Sequence, residues 1–297
     1  MRVTAFFTLA CMFSWTALLT GLSKASGGLV PLFMGADITV QDVTPYVYAA
    51  SFGPTLAALC MLVIEPRPLS ALKAWAKSLI QIKSHPLVWA LALLLLPVCG
   101  LLTVFLTGTR PAPDQEAVLV YITLLVAPLN GLFAVFVGAG ALGEEPGWRG
   151  YALPRLLNRF GPLASSLVLG AVWTLWHWPM MLIPEWRGGG LPLQVFVPMY
   201  AVVVCLLAYM MTRLFQWSRG NTLMAIWFHG IVNSVMPLMA SDVWDLGEMT
   251  PLQESALTIA PLLLASLIIW VLGRTPFMRN REEAWRPALP TAQEDDA

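Results

Sequence analysis

Charged residues are scarce in this chain of 297 residues: Asp, Glu, Lys and Arg make up 11% of it, whereas 58% is hydrophobic. A soluble domain carries about twice that charged fraction, so the composition excludes a single water-soluble domain. The mean hydropathy of +0.70 is typical of a protein with several membrane-spanning segments. Because the formal net charge is zero and no basic stretch is interleaved with aromatic residues, we expect no nucleic-acid partner.

Several motifs of well-known catalytic and metal sites are also missing. The four cysteines lie in apolar runs without CxxC spacing, which predicts small buried hydrophobic side chains rather than a metal or redox site. No GxSxG motif marks a serine nucleophile, and no HExxH motif marks a zinc site. The chain has only three histidines, of which His85 lies at a predicted membrane boundary, whereas His177 and His229 have apolar surroundings.

Eight apolar segments predict an all-α polytopic membrane protein, a bundle of about eight transmembrane helices in one domain over residues 1–297. Crossing a hydrocarbon core of about 30 Å requires about 20 helical residues, and a lipid-exposed backbone must satisfy its own hydrogen bonds. The segments are Thr4–Leu22, Pro45–Ile64, Pro86–Leu106, Val118–Leu142, Pro162–Pro184, Val195–Phe215, Thr222–Ala240 and Ala256–Gly273.

The distribution of basic residues predicts the orientation of these segments. Alternate connections and both termini carry 14 of the Lys and Arg residues, whereas the remaining connections carry only Lys24, Arg110 and Arg187. Since basic residues accumulate in cytoplasmic loops, we expect both termini in the cytoplasm. We also expect residues 274–297 to form a disordered cytoplasmic tail. Residues 69–83 fit either an amphipathic helix on the membrane surface or a solvated loop.

The stretch GEEPGWRG, which follows the fourth segment, brings Glu144, Glu145 and Arg149 next to apolar sequence. Ionisable residues in or beside membrane segments predict a functional site. Pro146 suits the first turn of a helix, and the residue before a proline avoids helical geometry, so we expect a kink at Glu145. The two carboxylates lie either at the cytoplasmic edge of the membrane or deeper, depending on where the fourth helix ends.

Three further polar residues lie inside predicted helices. His177 is about 22 Å along the fifth segment, and His229 and Asn233 are roughly 10 and 16 Å into the seventh. His229 and Asn233 are four residues apart and therefore share one face of a helix. Together with the two glutamates, these side chains could converge in a cavity that opens to the cytoplasm.

Such a cluster suits the activation of water without a covalent nucleophile. A carboxylate in a partly dehydrated pocket has a raised pKa, which makes it a competent general base near neutral pH. A histidine can share the water, and a second histidine with an amide can stabilise an oxyanion. Arg149, four residues after Glu145, is in reach to keep that carboxylate ionised and fixed. Alternatively, Glu144, His177 and His229 could bind a metal such as zinc and leave a fourth position for water.

The same residues carry a family likeness. EEPGWR fits the motif EExxxR, His177 fits the histidine of a second motif, and HGIVN fits HxxxN, in that order along the chain. From Ala134 to Leu238 the chain therefore resembles the CPBP family of intramembrane proteases, named for CAAX-protein and bacteriocin processing. The second motif is usually FxxxH, whereas this chain has WxxxH; we interpret the aromatic residue, Trp173, as a packing residue.

The resemblance implies an intramembrane endopeptidase with a catalytic core at about residues 134–240. Glu144 would be the base and His177 its partner, His229 and Asn233 would stabilise the oxyanion, and Glu145 with Arg149 would shape the site. The substrate would be a membrane-associated peptide or protein within the lipid bilayer, and the expected location is a bacterial inner membrane with the site facing the cytoplasm. Whether a divalent metal is required stays open. The alternatives are a non-catalytic scaffold or bacteriocin self-immunity protein, and a proton-coupled transporter.

Overall fold

A computed structural model describes residues 2–33, 36–137, 140–187, 191–239, 243–245 and 251–285. The prediction of an all-α membrane protein is confirmed. The helices are α1 (Arg2–Ser26), α2 (Leu29–Phe33), α3 (Val40–Ser51), α4 (Gly53–Val63), α5 (Pro68–Ile80), α6 (Pro86–Thr107), α7 (Ala117–Val137), α8 (Ala141–Gly147), α9 (Leu153–Leu157), α10 (Pro162–Trp176), α11 (Leu193–Trp217), α12 (Thr222–Met239), α13 (Pro251–Leu272) and α14 (Pro276–Glu283). Two short antiparallel strands, β1 (Arg110–Pro111) and β2 (Trp244–Asp245), pair with each other.

The eight predicted segments all coincide with helices, but they differ in length. Within the described part of the chain, five spans are long and apolar enough to cross a membrane: α1, α3 together with α4, α6, α11 and α12. A sixth is possible if Thr258–Leu272 and Pro276–Glu283, which are bent by 82° to each other, count as one span. Tyr121–Phe133 and Pro162–Trp176 are shorter apolar helices. The count of eight and the cytoplasmic termini therefore stay predictions; residues 138, 139 and 240 of the predicted segments lie outside the described residues.

The fifth segment is shorter than the sequence predicts, because α10 ends at Trp176 and not near Pro184. Pro179 cannot donate a backbone hydrogen bond, and it disfavours helical geometry at the residue before it. After His177 the chain therefore continues as a 3₁₀ helix, Trp178–Leu182. This places His177 at the C-terminal end of α10.

The break between α7 and α8 lies at Gly140, so the kink predicted at Glu145 is wrong. Gly140 has a φ of +116°, a conformation that glycine adopts far more readily than other residues. Helix α8 runs through both glutamates and through Pro146, which removes one backbone donor without ending the helix. The chain then continues as a π-helical turn, Trp148–Ala152.

Two glycines allow α8 to pack closely against the junction of α3 and α4. A Cβ atom on Gly143 would lie 2.6 Å from the carbonyl oxygen of Ser51, and one on Gly147 would lie 2.4 Å from backbone atoms of Pro54. Small residues four apart are a common means of bringing helices together in membranes. The Thr55 hydroxyl also donates to the Gly143 carbonyl at 2.6 Å. The helix with the two glutamates is thereby fixed against the bundle.

Two segments outside the apolar helices are ordered. Residues 68–80 form α5, in agreement with the helical alternative for this stretch, and the Trp75 indole donates to the Pro146 carbonyl at 2.8 Å. The predicted disorder of residues 274–297 is wrong for the first part of the tail, because residues 276–283 form α14. Thr275 caps α14, and Met278 on this helix is buried. Residues 286–297 lie outside the described residues.

Candidate functional site

A fully buried ion pair lies at the centre of the bundle. Arg149 Nη1 donates to Glu145 Oε1 at 2.8 Å, and both side chains have 0% exposure. His229 Nδ1, from α12, contacts the same oxygen at 2.7 Å. Because an ionised carboxylate oxygen can only accept a hydrogen bond, Nδ1 is the donor, and His229 Nε2 points away from Glu145. Glu145 thus connects α8 to α12 and orients His229.

Glu144 points to a different neighbour. Its Oε2 accepts a hydrogen bond of 2.7 Å from the Trp173 indole of α10, and the residue is only 4% exposed. The guanidinium carbon of Arg149 lies 4.4 Å from the centroid of the same Trp173 ring. The two adjacent glutamates therefore have separate partners: Glu145 has the buried cation and His229, whereas Glu144 has one neutral donor.

His177 lies one turn after Trp173, at the end of α10. Its Nδ1 lies 2.8 Å from the Trp173 carbonyl oxygen, which can only accept, so Nδ1 carries the proton and Nε2 is free to accept. The imidazole is half-buried and stacks on Trp186, with ring centroids 5.7 Å apart, and meets Tyr200 edge-on at 5.3 Å. These rings restrict the orientation of His177.

Polar atoms from two helices converge beside Gly140. A Cβ atom on Gly140 would lie 3.1 Å from Glu144 Oε1, 3.2 Å from Asn233 Nδ2 and 3.7 Å from His229 Nε2. The three polar atoms therefore surround the backbone of Gly140, where a side chain would clash with them, and the oxygen of Glu144 that Trp173 does not hold is one of the three. Asn233 is exposed on this side of the site. A carboxylate, an imidazole and an amide are thus brought together beside Gly140.

Close contact between α7 and α12 fixes the position of α12, and with it that of His229 and Asn233. A Cβ atom on Gly230 would lie 2.4 Å from the Gly131 carbonyl oxygen, and one on Gly131 would lie 2.6 Å from the Ile231 side chain. The two glycines therefore allow the backbones to approach within van der Waals distance. Any larger residue would shift α12 and the two site residues on it.

The sequence left open whether Glu144, His177 and His229 bind a metal. Both histidines hold Nδ1 against an oxygen atom, as metal-binding histidines usually do. Among the residues that the structure describes, however, no three His, Cys, Asp or Glu side chains form a group that could hold a metal ion.

The sequence missed two features of this site. Trp173 was interpreted as a packing residue, although its position four residues before His177 indicates that the two share a helix face. Its bond to Glu144 depends on how α10 packs against α8, for which the sequence holds no local signal. Gly140 was not singled out, and its positive φ becomes visible only in the fold.

Comparison with known proteins identifies a related family. Residues 117–235 match the family model described as type II CAAX prenyl endopeptidase Rce1-like, and this range contains all six predicted site residues. A similar curated protein is CAAX prenyl protease 2 of Methanococcus maripaludis, which is 29% identical over 108 residues. The match covers 33% of this chain and 36% of that protein, so this chain covers little more than a third of the length of the relative.

Proposed function

We propose that this chain, whose residues 117–235 match the Rce1-like CAAX prenyl endopeptidase model, is a member of that family and an intramembrane endopeptidase. It hydrolyses a peptide bond of a membrane-associated substrate with an activated water molecule. The observation that carries the proposal is the convergence of Glu144 Oε1, His229 Nε2 and Asn233 Nδ2 beside Gly140. The match is to a protease family, and it favours neither the scaffold nor the transporter alternative.

Glu144 is the general base. Trp173 holds Oε2, so that Oε1 is left to accept a proton from the attacking water as the water oxygen bonds to the carbonyl carbon. His177 assists through Nε2, which accepts the second hydrogen of the water and fixes its direction. Glu144 then returns the proton to the leaving amine as the C–N bond breaks, so the carboxylate is regenerated.

His229 and Asn233 stabilise the oxyanion of the tetrahedral intermediate. The Asn233 amide donates directly, and His229 donates from Nε2 in its protonated form, which the Glu145 carboxylate at 2.7 Å stabilises. Donors fixed before the reaction need no reorganisation as charge develops, and removing one such donor typically costs about 3–4 kcal/mol of transition-state stabilisation. Arg149 compensates the buried charge of Glu145 and so keeps this arrangement intact.

The membrane position follows from the sequence. The distribution of Lys and Arg supports cytoplasmic termini and a site open to the cytoplasm, and the expected location is the inner membrane of a bacterial cell. Substrate peptides anchored in the bilayer would reach the site laterally or from this side.

The test is peptidase activity of the purified full-length protein in nanodiscs, against a pool of membrane-anchored and prenylated peptides. Glu144→Gln keeps the shape of the side chain and an oxygen for Trp173, so we expect a folded protein without cleavage. His177→Ala is expected to lose most of its activity. The matched controls are Glu116→Gln, an exposed glutamate before α7, and His85→Ala, a histidine outside the site. Full activity in Glu144→Gln would overturn the proposal.

A further inference from the structure

A large groove lies away from the candidate site, on the outer face of the bundle. It has a volume of about 850 Å³ and runs between α10, α11 and α13. Its walls are apolar and strongly exposed: Leu163 is 60% exposed, Val202 49% and Leu267 54%. The site residues of α10, Trp173 and His177, lie on another face of that helix, so the groove is a separate feature.

One end of the groove is cationic. Arg213, near the end of α11, and Arg274, directly after α13, both line it. The Arg274 guanidinium lies 3.4 Å from the centroid of the Trp270 ring, and Arg213 Nη1 donates to Glu282 at 2.8 Å. With one carboxylate for two guanidinium groups, this end keeps a net positive charge. Arg213 Nε is buried and has no hydrogen-bond partner among the described residues.

Gly273 makes this arrangement possible. A Cβ atom on Gly273 would lie 2.5 Å from Arg213 Nη2, so the missing side chain gives the end of the α11 arginine room beside α13. The two guanidinium groups are thus held at the same end of the groove before any ligand binds. Preorganised arginines of this kind recognise phosphate through paired hydrogen bonds.

A single hydroxyl interrupts the apolar wall. Ser266 lines the groove, is only 8% exposed, and its Oγ has no hydrogen-bond partner in the part of the chain that the structure describes. It lies eight residues before Arg274, or about 12 Å along α13. An unpaired hydroxyl in a hydrocarbon environment is unfavourable, so a ligand with an acceptor at this depth would gain a hydrogen bond.

We propose that this groove binds one anionic phospholipid. Two arginines lie at one end, a hydroxyl lies about 12 Å from Arg274 along α13, and the apolar Ala201 and Val202 lie about 16 Å or more from Arg213 along α11. This order matches that of phosphate, ester carbonyl and acyl chain in such a lipid. The phosphate lies between Arg213 and Arg274, Ser266 donates to an ester carbonyl, and the acyl chain follows Ala201 and Val202. The net positive charge selects an anionic headgroup over a zwitterionic one.

The experiment is native mass spectrometry of the full-length protein released from detergent, after incubation with equal amounts of phosphatidylglycerol and phosphatidylcholine that have the same acyl chains. We expect the wild-type protein to retain one phosphatidylglycerol. Because a charge-assisted hydrogen bond is lost, Arg274→Gln should lower that retention about tenfold. Arg274 is exposed and has no role in the ion pair with Glu282, so this variant should fold.

The control is Lys77→Gln, which removes an exposed basic residue on α5, outside the groove. It should retain phosphatidylglycerol like the wild type. Ser266→Ala should lower the retention of both lipids without changing the preference between them. Equal retention of the two lipids by the wild type, an equal loss in Lys77→Gln, or a dimer that excludes lipid from the groove would each overturn the proposal. Peptidase activity is not the readout, so this test is independent of the proposed function.

Discussion

The hydrogen bond between Trp173 and Glu144 makes a sharp prediction, because a phenylalanine at this position would keep an aromatic ring but remove the donor. The indole lies 2.7 Å from Glu144 Oε2, and the carboxylate is almost fully buried. A hydrogen bond to a charged group is worth about 1.5–3 kcal/mol. If that bond holds the base in its reactive direction, Trp173→Phe should lower kcat about 10- to 150-fold, since each 1.36 kcal/mol is a factor of ten.

The assay is steady-state peptidase kinetics in nanodiscs, with thermal unfolding measured on the same preparations. We expect kcat to fall while KM changes little, because Trp173 orients the base rather than binding the substrate. The matched control is Trp217→Phe. Trp217 is fully buried too, but its indole nitrogen has no hydrogen-bond partner among the residues described. It should therefore lose stability through packing without losing kcat.

Two outcomes would refute this reasoning. An unchanged kcat in Trp173→Phe would show that Trp173 acts only by packing, as the sequence alone suggested. An equal fall in kcat for both tryptophan variants would show that activity follows the stability of the bundle, and not the direction of the Glu144 carboxylate.

Two further predictions concern stability. Arg149→Met leaves the Glu145 carboxylate buried without its cation, which should lower the free energy of unfolding by about 3–5 kcal/mol in a denaturant titration. The control Lys73→Met, at an exposed position, should change it by less than about 0.5 kcal/mol. Similar values for the two variants would contradict a buried ion pair. Gly147→Ala places a methyl group 2.4 Å from the backbone of Pro54 and should cost about 1–3 kcal/mol or more, seen as a lower Tm. Gly161→Ala has nothing within 4 Å and should lower Tm much less, because it only replaces the N-cap glycine of α10 by a poorer cap. A stable Gly147→Ala protein would show that α8 can move away.

Features that depend on residues near in sequence were predicted well. Continuous apolar runs require helices in a membrane, so the all-α fold follows from composition. The pair Glu145–Arg149 follows from a spacing of four residues, which a helix brings together whatever surrounds it. The shared face of His229 and Asn233 has the same origin.

Local rules failed where a choice depended on packing. The proline rule placed a kink at Glu145, but α8 continues through Pro146, where Gly143 and Gly147 pack closely against α3 and α4. The helix is interrupted at Gly140 instead, because glycine easily adopts a positive φ. The helix α14 lies in a stretch with a low mean hydropathy, yet Arg213–Glu282 and the buried Met278 fix it to the bundle.

By itself, the sequence determined that this chain forms apolar helices, which of its few polar residues lie beside them, and the order of the three motifs. These properties follow from composition and from short spacings along the chain, because hydrogen bonding within a helix is local. Only the tertiary structure decided that Glu144 is held by Trp173 and Glu145 by Arg149 and His229, and that Glu144, His229 and Asn233 meet beside Gly140. These contacts join α8, α10 and α12, and their geometry is set by glycines that let distant backbones approach.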